Sequence, residues 1–174
     1  SCIGARAGFG DLLIGAALMM AEANGLDAGS NNNLRERKVE AALIFCNRKR
    51  DVDILGRSLK RHGFNAAALH GDMVQTVRME TLDGFRNRDI AFLVASDVAA
   101  RGLDISGLPY VFNFDVPSRA EDYIHRIGRT GRAGMPGISV TLAAPDDSKY
   151  LDAITRLIGR EIPLMESPGV AAAT

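Results

Sequence analysis

Lysine is scarce in this chain: among 21 cationic residues only Lys38, Lys49, Lys60 and Lys149 are lysines, and none follows a glycine. That excludes the Gly-Lys step by which a phosphate-binding loop reaches the β- and γ-phosphates of a nucleotide. Cysteine is scarcer still. Cys2 and Cys46 form no CxxC pair and no Cys/His cluster, so neither a disulfide framework nor a metal site is expected, and Cys46 reads as a small buried residue at a strand end. Net charge is absent too: the formal charge is zero and the pI about 6.8. The chain lacks the basic bias of a free-standing nucleic-acid binder, and any such contact must be local. No apolar run is long enough to cross a bilayer, because the stretch Leu12 to Met20 is short and broken by Gly15. Ala21-Glu22-Ala23 has the form of a cleavage site, yet Asp11 and the single Arg6 make a poor leader sequence, so a cytoplasmic location is expected. No glycine-rich turn follows the first strand of the main body, which excludes a dinucleotide fold, and no internal repeat occurs.

What remains is an alternation of short apolar runs with amphipathic stretches from Glu40 onward, the pattern of βα units and an open, mostly parallel sheet with helices on both faces. With 174 residues, one α/β domain can bury a sufficient core. Strands are expected at Ala41 to Cys46, Ala66 to Leu69, Ile90 to Ala95, Val111 to Phe114 and Ile138 to Leu142. Asn47 is read as the N-cap of a helix burying Val52, Leu55 and Leu59 and ending at Gly63, weakened by Gly56. A second helix from Gln75 should bury Met79, Leu82 and Phe85. Ser118 with Glu121 reads as a capping box for a third, and Pro145 to Asp147 as the start of a closing helix with Leu151, Ile154, Leu157 and Ile158 on its apolar face. Residues 1–33 read as a divergent N-terminal helix and a flexible Gly-Ser-Asn-Asn-Asn loop, and residues 34–174 as the α/β body. Basic clusters at Arg48-Lys49-Arg50 and at Arg57 with Lys60-Arg61 serve either as solvated helix faces or as contact surfaces.

One stretch is unlike the rest. Tyr123 to Gly134 sets His125, Arg126, Arg129 and Arg132 along a glycine-interrupted segment. Guanidinium groups stay charged and offer planar forks of donors, so closely spaced arginines suit phosphate oxygens. The sequence His125-Arg126-Ile127-Gly128-Arg129-Thr130-Gly131-Arg132 resembles motif VI of the DEAD-box RNA helicases, and Ser96-Asp97-Val98-Ala99-Ala100-Arg101-Gly102-Leu103-Asp104-Ile105 resembles their motif V. Leu43 to Asn47 is similar to motif IV, and His70-Gly71-Asp72 with Gln75 and Arg78 is similar to the GD and QxxR motifs that follow it. Together these cover the chain from about Val39 to Arg160. The resemblance implies the second of two RecA-like domains, facing RNA and an ATP held by the first. It implies that Asp104 meets the ATP ribose, that Arg129 and Arg132 are the catalytic arginine fingers at the γ-phosphate, and that Arg101, His125 and Arg126 join the domains. It further implies that Asn47, Gly71, Gln75, Arg78 and Ser96 hold the RNA backbone without regard to sequence. By the residues alone, the lesser alternatives are a structural role for His125 and a helix-surface ion pair of Arg78 with Asp72 or Glu80.

No Asp-Glu-Ala-Asp sequence occurs to hold Mg2+ and the attacking water, so the chain carries half of the site the resemblance implies. It should be inactive alone, with ATP and Mg2+ held mainly by the N-terminal RecA-like domain of the same helicase. Two other functions compete. A DNA helicase of the same superfamily is disfavoured by His125 and the Ala-Ala-Arg-Gly-Leu-Asp run, and a non-catalytic RNA-binding or helicase-regulating module by the presence of Asp104, Arg129 and Arg132.

Overall fold

The computed structural model describes residues 2–4, 41–61, 63–131, 138–162 and 164–165. The expected helix and loop of residues 1–33, the basic run 35–38 and Arg132 lie outside the described residues, apart from the short strand at residues 2–4. In chain order the elements are β1 (Cys2–Gly4), β2 (Ala42–Cys46), α1 (Lys49–Arg61), β3 (Ala66–Leu69), α2 (Gln75–Arg86), β4 (Phe92–Ser96), α3 (Asp97–Ala100), β5 (Tyr110–Asn113), α4 (Ala120–Ile127), β6 (Ile138–Ala143), a 3-10 turn (Pro145–Asp147), α5 (Ser148–Ile158) and β7 (Leu164–Met165).

The strands form one sheet in the order β3-β4-β2-β5-β6-β1-β7, and every pairing is parallel. Leu43 on the central strand β2 pairs in register with Leu93 and Val111. Strands covered on both faces read as continuous apolar runs, and the alternation of β2 shows that coverage directly. Ala42, Ile44 and Cys46 pack with Val52, Leu55 and Leu59 of α1, whereas Ala41, Leu43 and Phe45 pack with Leu82 and Phe85 of α2 and Ala99 and Ala100 of α3. A third cluster, Val116, Tyr123, Ala143 and Ile154, joins α4 to α5. Among the described residues no helix is long and apolar enough to cross a membrane.

The expected open sheet is present, extended past β6 by two short strands, β1 and then β7 at the edge, beyond the five expected. Several local expectations need correction. Asn47 does not cap α1: its amide donates to the Val116 carbonyl at 2.9 Å, and the helix instead opens on the Arg48 carbonyl, which accepts from Asp51 and Val52. α4 begins behind Arg119 with no side-chain cap, so the Ser118 and Glu121 capping box does not form. Met79 and Leu157, expected in the core, are exposed. Ile90 belongs to the turn after α2, where its N–H donates to the Gly84 carbonyl, and β4 starts at Phe92. Gly56 is more than a weak point of α1. A Cβ built there would sit 3.2 Å from the Ala68 Cβ, so the missing side chain is what lets α1 lie close against β3.

Candidate nucleotide and RNA site

The parallel arrangement brings Asn47, His70, Ser96 and Asp115 to the carboxyl ends of β2, β3, β4 and β5, the edge at which such sheets bind ligands. Leu69 pairs with Ala95 and Cys46 with Ser96, so three of these chain exits are neighbours.

Arg126 lies at the centre of this edge. α4 turns it inward on the same side as Tyr123, three residues earlier, and its side chain is 0% exposed. A buried charge persists only when paired and fully hydrogen-bonded. Here Nε donates to Asp97 Oδ1 at 2.7 Å and Nη2 to Asp97 Oδ2 at 2.6 Å, a two-point fork. Nη2 also donates to Asn47 Oδ1 at 2.7 Å, and Nη1 to the Asp115 carbonyl at 2.9 Å and Asn113 Oδ1 at 3.5 Å. The Phe45 ring lies under the guanidinium, 5.3 Å from Cζ to the centroid. The Asp115 carboxylate accepts the Asn47 backbone N–H at 2.9 Å and stands 3.6 Å from Arg126 Nη1. Burial nevertheless dominates and raises its pKa to about 6. The Cys46 thiol beside it is pushed far up, mainly by burial, and stays protonated.

Three residues further on, Arg129 is also committed. Its Nη1 donates to the carbonyls of Leu103 and Ile105, the latter at 3.2 Å, and its Nη2 to the Ala100 carbonyl at 3.1 Å. The backbone follows the same course: Leu108 N–H donates to the Arg129 carbonyl at 3.0 Å, and Gly131 N–H and the Thr130 hydroxyl both donate to the Leu108 carbonyl. The exit of α4 is thereby stitched to loop 101–108, which carries Asp104 exposed between the inward-facing Leu103 and Ile105.

Outside this joint a cleft of about 370 Å³ opens, lined by Arg101, Asp122, His125, Gly128 and Arg129 among others. Asp122 stands between Arg101 and His125, 3.5 Å from Arg101 Nη2 and 3.9 Å from His125 Nδ1. Both Arg101 and His125 keep most of their side chains in solvent, 63% and 71%.

A second cleft, about 480 Å³, lies between α1 and the turn after β3. His70 is nearly buried there, with Nε2 3.0 Å from Asp53 Oδ1 and Nδ1 accepting the Asp72 N–H at 3.3 Å. Those roles correspond to the tautomer protonated at Nε2. Lys49 Nζ meets Asp72 Oδ2 at 2.6 Å and holds that carboxyl below its ordinary range. Gly71 and Gln75 are exposed on this turn and at the start of α2. Arg78 is half-buried, its Nε lacks a hydrogen-bond partner, and Lys49 takes the Asp72 carboxylate in its place.

A model described as the helicase conserved C-terminal domain matches residues 27–134. The chain belongs to this family. It is of the DEAD-box type. The ATP-dependent RNA helicase RhlB of Pseudomonas syringae pv. tomato is 48% identical over 129 residues, 74% of this chain and 32% of that protein. The chain thus spans about a third of the length of that curated relative. Among solved structures, the E. coli DEAD-box protein SrmB, bound to regulator of ribonuclease activity A, matches with a TM-score of 0.77 at 29% identity over 99% of this chain and 95% of that one. Domain 2 of Mss116p, bound to an RNA duplex, matches at 0.74 with 26% identity, over 98% and 64%.

Within this DEAD-box C-terminal domain the structure separates residues that the motifs list together. Arg101, Asp104 and His125 face solvent, whereas Arg126, expected at a domain junction, is an internal residue with no exposed side chain. Asn47, expected on RNA, spends its side chain on Val116 and Arg126. Ser96 is buried and its Oγ accepts the Ala99 N–H at 3.3 Å, capping α3. Arg129, expected at a γ-phosphate, is turned onto three carbonyls of its own domain. Leaving them would forfeit charge-assisted bonds worth about 1.5–3 kcal/mol each. Sequence reasoning gave Asp97 and Asp122 no role. Asp122 was signalled by its i,i+3 spacing from His125 on α4, but Asp97 had no local signal, since its partner Arg126 is 29 residues away.

Proposed function

We propose that this chain is the second RecA-like half of an ATP-dependent RNA helicase, supplying part of the ATP site and half of the RNA-backbone surface. The observation that carries the reading is the exposed Asp104 carboxylate on a loop stitched to the arginine segment at the carboxyl edge of the sheet. In this reading Asp104 accepts hydrogen bonds from the ATP ribose hydroxyls, and Arg132 approaches the γ-phosphate, where a guanidinium neutralises charge developing on the transferring group. Arg101 and His125 face the partner domain across the cleft they share with Asp122. Among the described residues no group of three or more His, Cys, Asp or Glu is placed to hold a metal ion. Mg2+ would neutralise charge on the nucleotide phosphates and would be held by the other RecA-like half, whose phosphate-binding loop this sequence lacks.

RNA would lie along the edge formed by Gly71, Gln75 and Arg78, at the turn after β3 and on α2. Mss116p domain 2, which shares this fold, is bound to an RNA duplex. Backbone contacts of this type position a strand without reading its bases.

Phosphate release tests the reading. The 174-residue chain alone should show no turnover with or without RNA, and the two-domain protein should show RNA-stimulated turnover. Arg132→Ala in that protein should lower the rate by about 10³ to 10⁵, the range of an arginine finger, with little change in nucleotide affinity measured without RNA. Arg132→Lys should restore little, because a lysine keeps the charge and loses the planar fork. Near-normal turnover of Arg132→Ala would overturn the assignment.

A further inference from the structure

We infer that Arg129 is a positioning residue for Asp104: by holding the carbonyls on either side of that residue, it fixes the loop that presents the ribose-reading carboxylate. The inference rests on the proposed role of Asp104 and goes beyond it in assigning Arg129 a task within its own domain.

Loop 101–107 has no repeating backbone structure. Leu103 N–H donates to Ala100 at 3.2 Å and Ile105 N–H to Leu103 at 3.0 Å, and Gly102 sits at φ 80°, a conformation that side chains disfavour. Leu103 and Ile105 anchor in the core and set how deep the loop lies. Apolar packing is non-directional, so these two anchors leave the carbonyls around Asp104 without a directional restraint of their own. Arg129 supplies that restraint. Its Nη1 bonds the carbonyls of residues 103 and 105, which flank Asp104, and its Nη2 bonds the carbonyl of Ala100, the last residue of α3. That carbonyl already accepts the Leu103 N–H, and the guanidinium donor takes its second lone pair.

Arginine suits the task because its donors lie in one rigid plane and reach three separate oxygens at once, whereas a lysine presents a single nitrogen. Arg129 is itself pinned at both ends. Its N–H donates to Arg126 at 3.2 Å and its carbonyl accepts from Leu108 at 3.0 Å.

Two measurements decide the matter. In the 174-residue chain, amide hydrogen exchange across residues 101–107 is compared for the parent, Arg129→Ala, Arg129→Gln and Arg129→Lys, with the amides of β2 and β5 reporting that the sheet stays folded. All three substitutions should speed exchange in the loop, Arg129→Ala by about tenfold or more for the loss of one or more such bonds, and the milder variants keep the test open if alanine prevents folding. Unchanged exchange in every folded variant overturns the inference. In the two-domain protein, discrimination of ATP against 2′-deoxy-ATP and 3′-deoxy-ATP is measured as a ratio of kcat/KM for Arg129→Ala, Asp104→Ala and the double variant. Positioning predicts that each single change reduces the discrimination and that the double variant goes no further than Asp104→Ala. If Arg129→Ala keeps the parent's discrimination while kcat falls, Arg129 acts on the phosphate and the inference is wrong. If Asp104→Ala itself keeps the discrimination, the ribose reading fails first, and that failure is distinguishable from the other.

Discussion

Arg126 and Asp97 meet through two parallel bonds of 2.7 and 2.6 Å, with the arginine side chain wholly inside the protein. Truncating one member of such a pair strands the other charge. Arg126→Ala and Asp97→Ala should each cost about 3–5 kcal/mol, read as a shift in the urea midpoint of the chain. The double variant should cost much less than their sum. Additive losses would mean that the two residues act on separate parts of the fold.

Asp115 makes stability depend on pH in an unusual direction. Its folded-state pKa of about 6 lies above the ordinary aspartate value of 3.8, so between those limits the folded chain binds more protons than the unfolded one. Stability from this group is therefore present at low pH and lost as pH rises through about 6. Asp72 is lowered and opposes the trend, so the comparison needs a variant. Relative to Asp115→Asn, the parent should lose about 1–3 kcal/mol between pH 4 and pH 7. Urea midpoints at four pH values check it, and a difference that stays flat would place Asp115 in water.

Gly56→Ala should bring no stabilisation despite the helix propensity of about 1 kcal/mol that alanine adds, because the new methyl meets Ala68 at 3.2 Å. Gly56→Val should cost about 1–3 kcal/mol through overpacking. Combining Gly56→Ala with Ala68→Gly should recover stability relative to Ala68→Gly alone. Thermal melts of the four variants measure this, and a simple gain from Gly56→Ala would show that α1 is free to move off β3.

Single-strand binding by the chain should be weak and equal for unrelated sequences. Arg78→Ala should weaken it uniformly and reduce the slope of log affinity against log salt by about 0.7, the single-strand share of one phosphate contact. Fluorescence titration at several salt concentrations tests it. A loss confined to one sequence would indicate base contacts.

The strands were legible because β2, β4 and β5 are covered on both faces, so that residues such as Leu43, Leu93 and Val111 need no partner beyond apolarity. β1 and β7, three and two residues long, carry too few positions for any period to appear. Apolarity alone misplaced Met79 and Leu157, which have helical spacing but lie over water. The motifs located the site at the sheet edge, yet they do not distinguish an arginine that faces a ligand from one that holds the domain together. For Arg126, acceptance of the charge inside the fold depends on Asp97, Asn47 and Asp115, which belong to other strand exits. Caps failed for a similar reason: Asn47 has the right chemistry for α1 and a stronger claim from Val116 and Arg126.

The Arg126 joint draws together residues 79, 29 and 11 positions away along the chain. Contacts of such span form late, since the intervening segments must first be ordered. β2, β4 and β5 have to be aligned before the guanidinium finds its acceptors, and until then it stays hydrated. A joint that closes only on an assembled sheet works as a latch, and Arg126→Ala should then speed unfolding far more than it slows folding. A chain that is still incomplete during synthesis can collapse on its apolar runs, but it has no closed ligand edge until the α4 segment emerges.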